Sequence, residues 1–239
     1  MGKKEIKPLV SVVITTKNEE AYIEKTLQSV KNQTYKNLEI IVSDACSSDK
    51  TVQIAKKYGS KVIIKDTNIA QGRNAAVKLA KGEILAFVDA DTILNKHWIK
   101  KVVDHFRNKD LVAVLGSPDP MKTRNHREKI LNILTCWHRL AKFLGLPVVG
   151  VCSIGFAIRK DIFEKIHGFR EDLFVAEDTD LELRARRVGK VIIESEIKNS
   201  WSWRRFEKGG YVNWIYRWLK TYIAYLINKK TPDYYPMYR

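Results

Sequence analysis

Two carboxylates one residue apart, Asp89 and Asp91, stand directly after the apolar run 84–88. Such a run predicts a buried parallel strand, which would deliver both aspartates to the edge where open α/β sheets bind ligands. Two hard oxygen ligands suit a divalent cation such as Mg²⁺ or Mn²⁺ that is shared with the phosphates of a substrate. In the alternative, the pair forms only a solvated turn.

A second acidic pair, Glu177 and Asp178, stands at the start of a segment of helical composition. The partial positive charge of a helix N-terminus stabilises a carboxylate and keeps it ionised, which is the state that a general base needs. Asp178 is therefore a candidate base. In the alternative, these acids only cap the helix, and its later acids pair with arginines. The residues that could pair in this way are Asp180, Glu182, Arg184, Arg186 and Arg187.

Strand and helix patterns alternate around these acids. Apolar and β-branched runs predict buried strands at 9–16, 38–42, 62–64, 84–88, 111–115 and 191–193. Apolar residues at helical spacing predict helices between them, for example at 68–81, 97–107 and 129–144. This alternation predicts one mostly parallel sheet that helices cover on both faces, which is the α/β class. Asp44 follows the second strand and would reach the same edge as Asp89.

Composition limits the possible classes of protein. A chain of 239 residues that is 45% hydrophobic can bury a substantial core as one domain, or one domain with an appendage. Its net charge of +16 predicts attraction to nucleic acid, anionic lipid or phosphorylated small molecules. Three cysteines without metal-ligand spacing argue against a disulfide framework or a zinc site. No apolar signal region precedes the first strand, so we expect a cytoplasmic protein.

The segment 201–239 holds half of the aromatic residues of the chain. Within it, aromatic and aliphatic side chains recur on one helical face, with basic residues beside them. The residues on this face are Ile215, Trp218, Leu219, Tyr222, Ile223 and Leu226. Such a helix can lie in the interface of an anionic membrane, which predicts peripheral contact with the inner face of the cell membrane through 211–230. A helix docked on the rest of the domain, or on a partner, would bury the same face.

In this order and spacing, the motifs resemble those of the family 2 glycosyltransferases, which are inverting enzymes with the GT-A fold. The matching motifs are Thr15-Thr16-Lys17-Asn18-Glu19, Asp44 with Ser47, Asp49 and Thr51, Gly72-Arg73-Asn74, Asp89-Ala90-Asp91, and Gly155-Phe156-Ala157 with Arg159, followed by Gly168-Phe169 and Glu177-Asp178. The resemblance covers about residues 8 to 195. It implies a single Rossmann-like sheet in a catalytic domain at 1–200, with a nucleotide-sugar half at about 8–115 and an acceptor half at about 116–200. The amphipathic extension 201–239 would follow.

The resemblance also implies roles for particular residues. Asp44 would contact the nucleobase, Asp91 with help from Asp89 would hold the metal, and Asp178 would deprotonate the acceptor hydroxyl. The implied nucleotide-sugar contacts are Thr15, Asn18, Glu19, Asp44, Arg73, Asp89 and Asp91, and Gly155 and Glu177 would lie on the acceptor side. Outside the resemblance, Trp203 and Arg204 are further acceptor-side candidates, which could contact the acceptor or the diphosphate or only pack. Arg73 would lie near the diphosphate, or else be a solvated helix residue. Ala45 follows Asp44 where many members have a second acid, which leaves uridine and guanosine both open as the base.

The implied reaction moves a sugar from a nucleoside-diphosphate sugar to an acceptor hydroxyl or lipid phosphate by metal-assisted single displacement. The acceptor would be a glycan or a lipid-linked molecule. A sugar nucleotidyltransferase of similar fold is one alternative, but such enzymes carry a glycine-rich loop after the first strand, and 15–19 contains no glycine. A basic nucleic-acid-binding protein is another alternative. The aromatic residues concentrate in the amphipathic tail rather than along a basic strand surface, so we expect no nucleic-acid partner.

Overall fold

The computed structural model describes residues 7–118 and 155–202, and residues 204, 210, 216, 220, 223–225 and 227 beyond them. In this part of the chain, the strands are β1 (Val10–Thr16), β2 (Leu38–Asp44), β3 (Lys61–Ile64), β4 (Ile84–Asp89), β5 (Thr92–Ile93), β6 (Leu111–Pro118), β7 (Phe156–Arg159) and β8 (Lys190–Trp201). The helices are α1 (Ile23–Lys31), α2 (Thr51–Lys57), α3 (Ile69–Val77), α4 (Trp98–His105), α5 (Lys160–Lys165) and α6 (Glu177–Arg186). The helix predicted at 129–144 lies outside the described residues.

The strands form one sheet in the order β3-β2-β1-β4-β7-β6-β8-β5. The first four strands in this order are parallel, as the alternating pattern predicts. β7 then runs antiparallel to both β4 and β6, whereas β8 is parallel to β6 and antiparallel to β5. The sheet is therefore mostly parallel on its amino-terminal side and mixed on the other, which confirms the predicted α/β class.

Both faces of the sheet are covered, which explains why the central strands are apolar almost throughout. Along β1, Val12 and Ile14 pack in a core with α1 and α4, while Val13 packs on the opposite face with α3 and α6. All three side chains are at most 1% exposed. Among the described residues, no helix is long and apolar enough to cross a bilayer.

Four phenylalanines join β4 and β7 to the elements that follow them. The ring of Phe87 in β4 lies 4.9 Å from that of Phe169, with an angle of 87° between the ring planes. Phe156 and Phe163 also contact Phe87, at 6.2 and 5.6 Å between centroids. This cluster fixes the Gly168-Phe169 turn against the strand that carries Asp89.

β8 is much longer than the strand predicted at 191–193. Its second half contains Glu194, Glu196 and Asn199, so no apolar run marks it in the sequence. Pairing partners define it instead, because Trp201 and Ser200 pair with the two residues of β5. β8 thereby brings the chain back beside Asp91. The domain boundary at residue 200 stays a prediction.

Candidate active site

The carboxyl ends of β1, β2 and β4 lie side by side. In the strand register, Thr16 lies opposite Asp44 and Thr15 opposite Asp89. The half-buried Thr15 thus stands between the two acidic strand ends. The expectation that Asp44 and Asp89 reach the same edge is confirmed.

Asp44 is fully buried and accepts hydrogen bonds from uncharged donors. Its carboxylate accepts from Thr16 Oγ1 at 2.7 Å, from the Ser47 backbone N–H at 2.7 Å and from Ser47 Oγ at 2.6 Å. These bonds hold the turn between β2 and α2 in place. The contact of Asp44 with a nucleobase stays a prediction.

The loops after β1 and β2 are bonded to each other. Asn18 has a φ of +53°, which asparagine tolerates better than most residues. Its backbone N–H donates to Ser47 Oγ at 2.7 Å, and its Oδ1 accepts from Ser48 N–H at 2.9 Å. The Glu19 N–H donates to Thr51 Oγ1 at 2.7 Å. These loops form one unit at the predicted donor edge.

Arg73 is buried between two carboxylates rather than solvated. Nη1 donates to Glu177 Oε1 at 2.6 Å, and Nη2 donates to Asp89 Oδ1 at 2.9 Å. The guanidinium carbon lies 5.2 Å from the centroid of the Phe169 ring. The residue is 4% exposed, so the alternative of a solvated helix residue is wrong. Its contact with a diphosphate stays a prediction.

The helix that carries Arg73 is fixed at both sides of this residue. At its N-terminus, Asn68 and Gln71 form a reciprocal capping box. Asn74 Nδ2 donates to the Phe169 carbonyl at 2.9 Å, and the Phe169 N–H donates to Asn74 Oδ1 at 3.0 Å. Asn74 and Phe169 belong to the motifs of the resemblance, but no role was predicted for either. An asparagine inside a helix beside the candidate Arg73 was the available signal, because asparagine favours caps and turns over helix interiors.

Helix α6 begins at Glu177, so Asp178 lies in its first turn, as predicted. The preceding Ala176 has a φ of +59°, in the left-handed region. Both acids are 7% exposed, and Asp178 Oδ1 accepts from the Thr179 N–H at 2.7 Å. The dipole of α6 favours negative charge at this end of the helix.

The ion pairs of the capping alternative are also present, but they involve later residues of α6. Asp180 accepts from Arg184 Nε at 2.6 Å, and Glu182 accepts from Arg186 Nε at 2.8 Å. Tyr225 Oη donates to the other oxygen of Asp180 at 2.7 Å. The pairing along α6 and the placement of Asp178 at its start are therefore compatible.

Glu177 lies in an environment that disfavours its charge. Burial, and next the charge of Asp178, raise the pKa of Glu177 to about 7, while the Arg73 guanidinium opposes the rise. A carboxyl group with this pKa exchanges its proton near neutral pH. Glu177 is thus the proton-sensitive neighbour of the candidate base.

Arg204, a predicted acceptor-side residue that could also contact the diphosphate, lies beside Glu19 and Asp91, which were predicted to contact the nucleotide sugar. It forms a bidentate pair with Glu19, at 2.6 and 2.5 Å, and its Nη2 lies 3.3 Å from Asp91 Oδ2. Its guanidinium carbon is 4.6 Å from the centroid of the Tyr22 ring. The Ser202 N–H donates to the Asp91 carbonyl at 3.1 Å, which holds this end of β8 in place. Trp203 lies outside the described residues.

Gly155 has a packing role that only glycine can fill. Its φ is +89°, and a Cβ atom there would lie 2.9 Å from Trp98 Cζ2. Its carbonyl accepts from the Gly116 N–H at 2.6 Å, beside β7. An acceptor-side role for Gly155 stays a prediction.

The donor set at the end of β4 suits a cation that substrate phosphates also bind. Within the described residues, no group of three or more histidine, cysteine, aspartate or glutamate side chains could hold a metal by itself. Asp89 and Asp91 supply hard carboxylate oxygens, and Mg²⁺ is commonly bound by one or two carboxylates together with substrate phosphates and water. These two residues therefore fit a divalent cation.

Comparison with known proteins gives a consistent assignment. Similar curated relatives include the probable glycosyltransferase YdaM of Bacillus subtilis, which is 30% identical over 200 residues, covering 76% of this chain and 47% of that protein. The UDP-Glc:alpha-D-GlcNAc-diphosphoundecaprenol beta-1,3-glucosyltransferase WfaP of Escherichia coli is 42% identical over 88 residues, covering 35% of this chain and 35% of that protein. The matched part of this chain thus spans less than half of each of these two relatives.

A solved structure shows the same fold. The mannosyltransferase PcManGT from Pyrobaculum calidifontis, in complex with GDP-Man and Mn²⁺, superposes with a TM-score of 0.74 at 21% identity, covering 95% of this chain and 67% of that one. This likeness confirms the predicted GT-A fold. Residues 11–167 match the model of glycosyl transferase family 2, which spans the strand ends that carry Asp44, Asp89 and Asp91. This chain belongs to glycosyl transferase family 2.

Proposed function

We propose that this chain moves a sugar from a nucleoside-diphosphate sugar to an acceptor by a single displacement that inverts the anomeric carbon. One observation carries the proposal: a single guanidinium, that of Arg73, links Asp89 at the end of β4 to Glu177 at the start of α6. Asp89 belongs to the candidate donor motif, and Glu177 is followed by the candidate base. Inversion needs a base on the side of the sugar opposite the leaving group.

Asp178 is the proposed base. Its position in the first turn of α6 favours the ionised carboxylate, which can accept the proton of an acceptor hydroxyl. Its Oδ1 is oriented by the Thr179 N–H at 2.7 Å. Asp178 would therefore be oriented before an acceptor binds.

Asp91, with Asp89, is the proposed holder of Mg²⁺ or Mn²⁺. When bound, the cation would neutralise the charge that develops on the departing nucleoside diphosphate. Arg204 lies 3.3 Å from Asp91 and can supply a further positive charge at the same place. Glu19 holds that guanidinium in a bidentate pair, which fixes its plane.

A panel of nucleotide sugars tests the proposed reaction, with Mn²⁺, Mg²⁺ or a chelator, following release of nucleoside diphosphate. We expect release with one class of donor, and loss of release in both Asp91→Ala and Asp178→Ala. Only Asp91→Ala should weaken metal-dependent donor binding, because Asp178 does not hold the donor in this proposal. Absence of release from every nucleotide sugar would overturn the proposed function. Donor binding that is unchanged in Asp91→Ala would overturn the metal assignment alone.

The carboxyl-terminal segment supports a lipid-linked or glycan acceptor at the inner face of the cell membrane, with the chain as a cytoplasmic, peripheral protein. Residues 216, 220, 223–225 and 227 are helical. Ile223 and Ile227, four positions apart, are 52% and 73% exposed, and Tyr216 is 63% exposed. Tyr225, between the two isoleucines in sequence, is 2% exposed and donates to Asp180. The segment thus contacts the domain through Tyr225 and exposes apolar side chains on a chain of net charge +16.

Vesicle binding tests the membrane contact. We expect Ile223→Ser with Ile227→Ser to weaken sedimentation with anionic vesicles, because burial of exposed apolar area contributes to interfacial binding. The matched control is Ile64→Ser in β3, which removes an isoleucine that is 53% exposed elsewhere. Equal binding by the double variant and the wild type, or equal loss in the control, would exclude Ile223 and Ile227 as the membrane contact.

A further inference from the structure

We propose that Arg73 is a positioning residue that couples the donor motif to the base helix, by holding Asp89 and Glu177 with one guanidinium. This inference rests on the proposed function, because that function assigns Asp89 to the donor side and Asp178 to proton removal. It differs from the role implied by the sequence, which placed Arg73 on the diphosphate. The coupling would make alignment of the base depend on the state of the donor motif.

Both terminal nitrogens of Arg73 face protein carboxylates. Nη1 lies 2.6 Å from Glu177 Oε1, and Nη2 lies 2.9 Å from Asp89 Oδ1. A guanidinium is planar, so the two nitrogens are at a fixed distance and angle from each other. Because this rigid group contacts both carboxylates, a displacement of Asp89 would displace Glu177 as well.

The guanidinium is also held from other directions. Its face packs on the Phe169 ring at 5.2 Å, and Phe169 is bonded through its backbone to Asn74, one residue after Arg73. Phe169 in turn contacts Phe87, in the strand that carries Asp89. Arg73 is thus fixed relative to both β4 and α3.

Loss of Arg73 would leave buried charges without their partner. The side chains of Arg73, Glu177 and Asp89 are 5%, 9% and 18% exposed. Removal of one member of a buried ion pair is costly, because the remaining charge is neither paired nor hydrated. Glu177 would then move or take up a proton, and Asp178 follows it directly in the first turn of α6. A displacement of about 1 Å at a catalytic group can lower a rate by about 100-fold.

The test is a cycle of Arg73→Met, Glu177→Gln and the double variant, with kcat, donor KM and affinity for the nucleoside diphosphate product in Mn²⁺. For Arg73→Met we expect kcat to fall by about 100-fold, with product affinity changed by less than about threefold. The double variant should be no worse than Arg73→Met, because residues that act as one unit are not additive. Arg73→Lys should recover little kcat, since one ammonium cannot reproduce the planar fork.

Two results would overturn the coupling. A loss of product affinity of about tenfold or more in Arg73→Met, which is about 1.4 kcal/mol, with kcat unchanged, would make Arg73 a phosphate ligand. Multiplicative losses in the double variant would show that Arg73 and Glu177 act separately. A wild-type protein that releases nucleoside diphosphate from no donor contradicts the proposed function instead. Thermal unfolding of the same four proteins measures the Arg73–Glu177 coupling without any turnover.

Arg159→Met is the matched control. Arg159 also packs on an aromatic ring, that of Phe106 at 5.0 Å, and donates to the Leu111 carbonyl at 2.8 Å. Its partners are backbone carbonyls at the start of β6 and just after α4, whereas those of Arg73 are the carboxylates of Asp89 and Glu177. We expect this variant to lose stability while kcat of the folded protein stays within about threefold, in contrast to the expected 100-fold loss in Arg73→Met.

Discussion

Asp44 and Glu177 are both buried carboxyl groups near the predicted donor site, and they are held in opposite ways. Asp44 accepts from hydroxyl and backbone donors, none of which carries a charge. Glu177 faces the Arg73 guanidinium and adjoins Asp178, and burial raises its pKa to about 7. Neutral donors hold Asp44 in its loop, whereas an ion pair holds Glu177.

The same contrast extends to the surroundings of each residue. The loops after β1 and β2 are joined by bonds between backbone and uncharged side chains, such as those of Asn18 and Ser47. The start of α6 is joined to β4 through ion pairs of Arg73. The predicted donor edge is therefore fixed by many directional bonds, and the predicted base side by a few charges. Substitutions that remove charge without changing size distinguish the two regions.

The largest effect is expected where charge itself does the chemistry. Asp178→Asn keeps the size of the side chain but removes its basicity, so kcat should fall by about 10² to 10⁴, with donor affinity retained. Rates of nucleoside diphosphate release and product-binding calorimetry measure these quantities. The control is Asp104→Asn on α4, whose carboxylate is 45% exposed and pairs with Arg107. If Asp178→Asn retains turnover, Asp178 is not the general base.

At Asp44, which accepts from neutral donors, the same change of Asp to Asn should lower the stability of the fold. In Asp44→Asn, one acceptor oxygen becomes an amide donor that cannot accept from both Thr16 and Ser47, which should cost about 1 to 3 kcal/mol. Thermal or urea unfolding measures this loss, again beside Asp104→Asn. An unchanged unfolding midpoint would mean that the neutral bonds of Asp44 do not fix the loop.

The pH dependence of stability sharpens the contrast further. Because the pKa of Glu177 is raised from 4.5 to about 7 in the folded protein, the folded state binds this proton more tightly than the unfolded chain does. Stability due to Glu177 is thus fully present below about pH 4.5 and is lost as the pH rises through about 7, by at most about 1.4 kcal/mol per pH unit. As the pH rises from 5 to 8, the unfolding midpoint of Glu177→Gln should increase relative to that of the wild type. A constant difference between the two midpoints across this range would contradict the raised pKa of Glu177.

We expect the smallest effect at Asp180 in α6, which accepts one hydrogen bond from a charged group and one from a neutral group. Tyr225→Phe removes the hydroxyl that donates to Asp180, while Arg184 still pairs with the other oxygen. We expect a loss of about 1 kcal/mol in unfolding free energy, with turnover within a factor of a few. Tyr216→Phe, in an exposed position of the same segment, is the control and should change neither quantity.

Local patterns in the sequence predicted the sheet edge well. Apolar runs end at Asp44 and Asp89, and parallel strands place such ends together, so their convergence follows from two general rules. Helical spacing after Glu177 likewise placed Asp178 in a first turn. In each case the sequence pattern on which the prediction rests lies within a few residues along the chain.

Contacts between distant residues could not be predicted from local spacing. Arg73 meets Glu177 across 104 positions, and Asn74 meets Phe169 across 95. Arg73 was predicted to be either a phosphate contact or a solvated residue, because no local pattern shows that Phe169 and Glu177 fold onto α3. The second half of β8 was missed for a similar reason, since its polar residues are in a strand only through pairing with β5 and β6.

The pair of Glu19 with Arg204 joins positions 185 residues apart, near the two ends of the described chain. Closing so long a loop costs entropy that nearby contacts must first offset. We therefore expect the parallel strands to assemble before this pair forms, so that the donor edge is completed last during folding. The same order in reverse makes separation of Arg204 from Glu19 an early step of local opening, which would uncover Asp91 while β1, β2 and β4 stay paired.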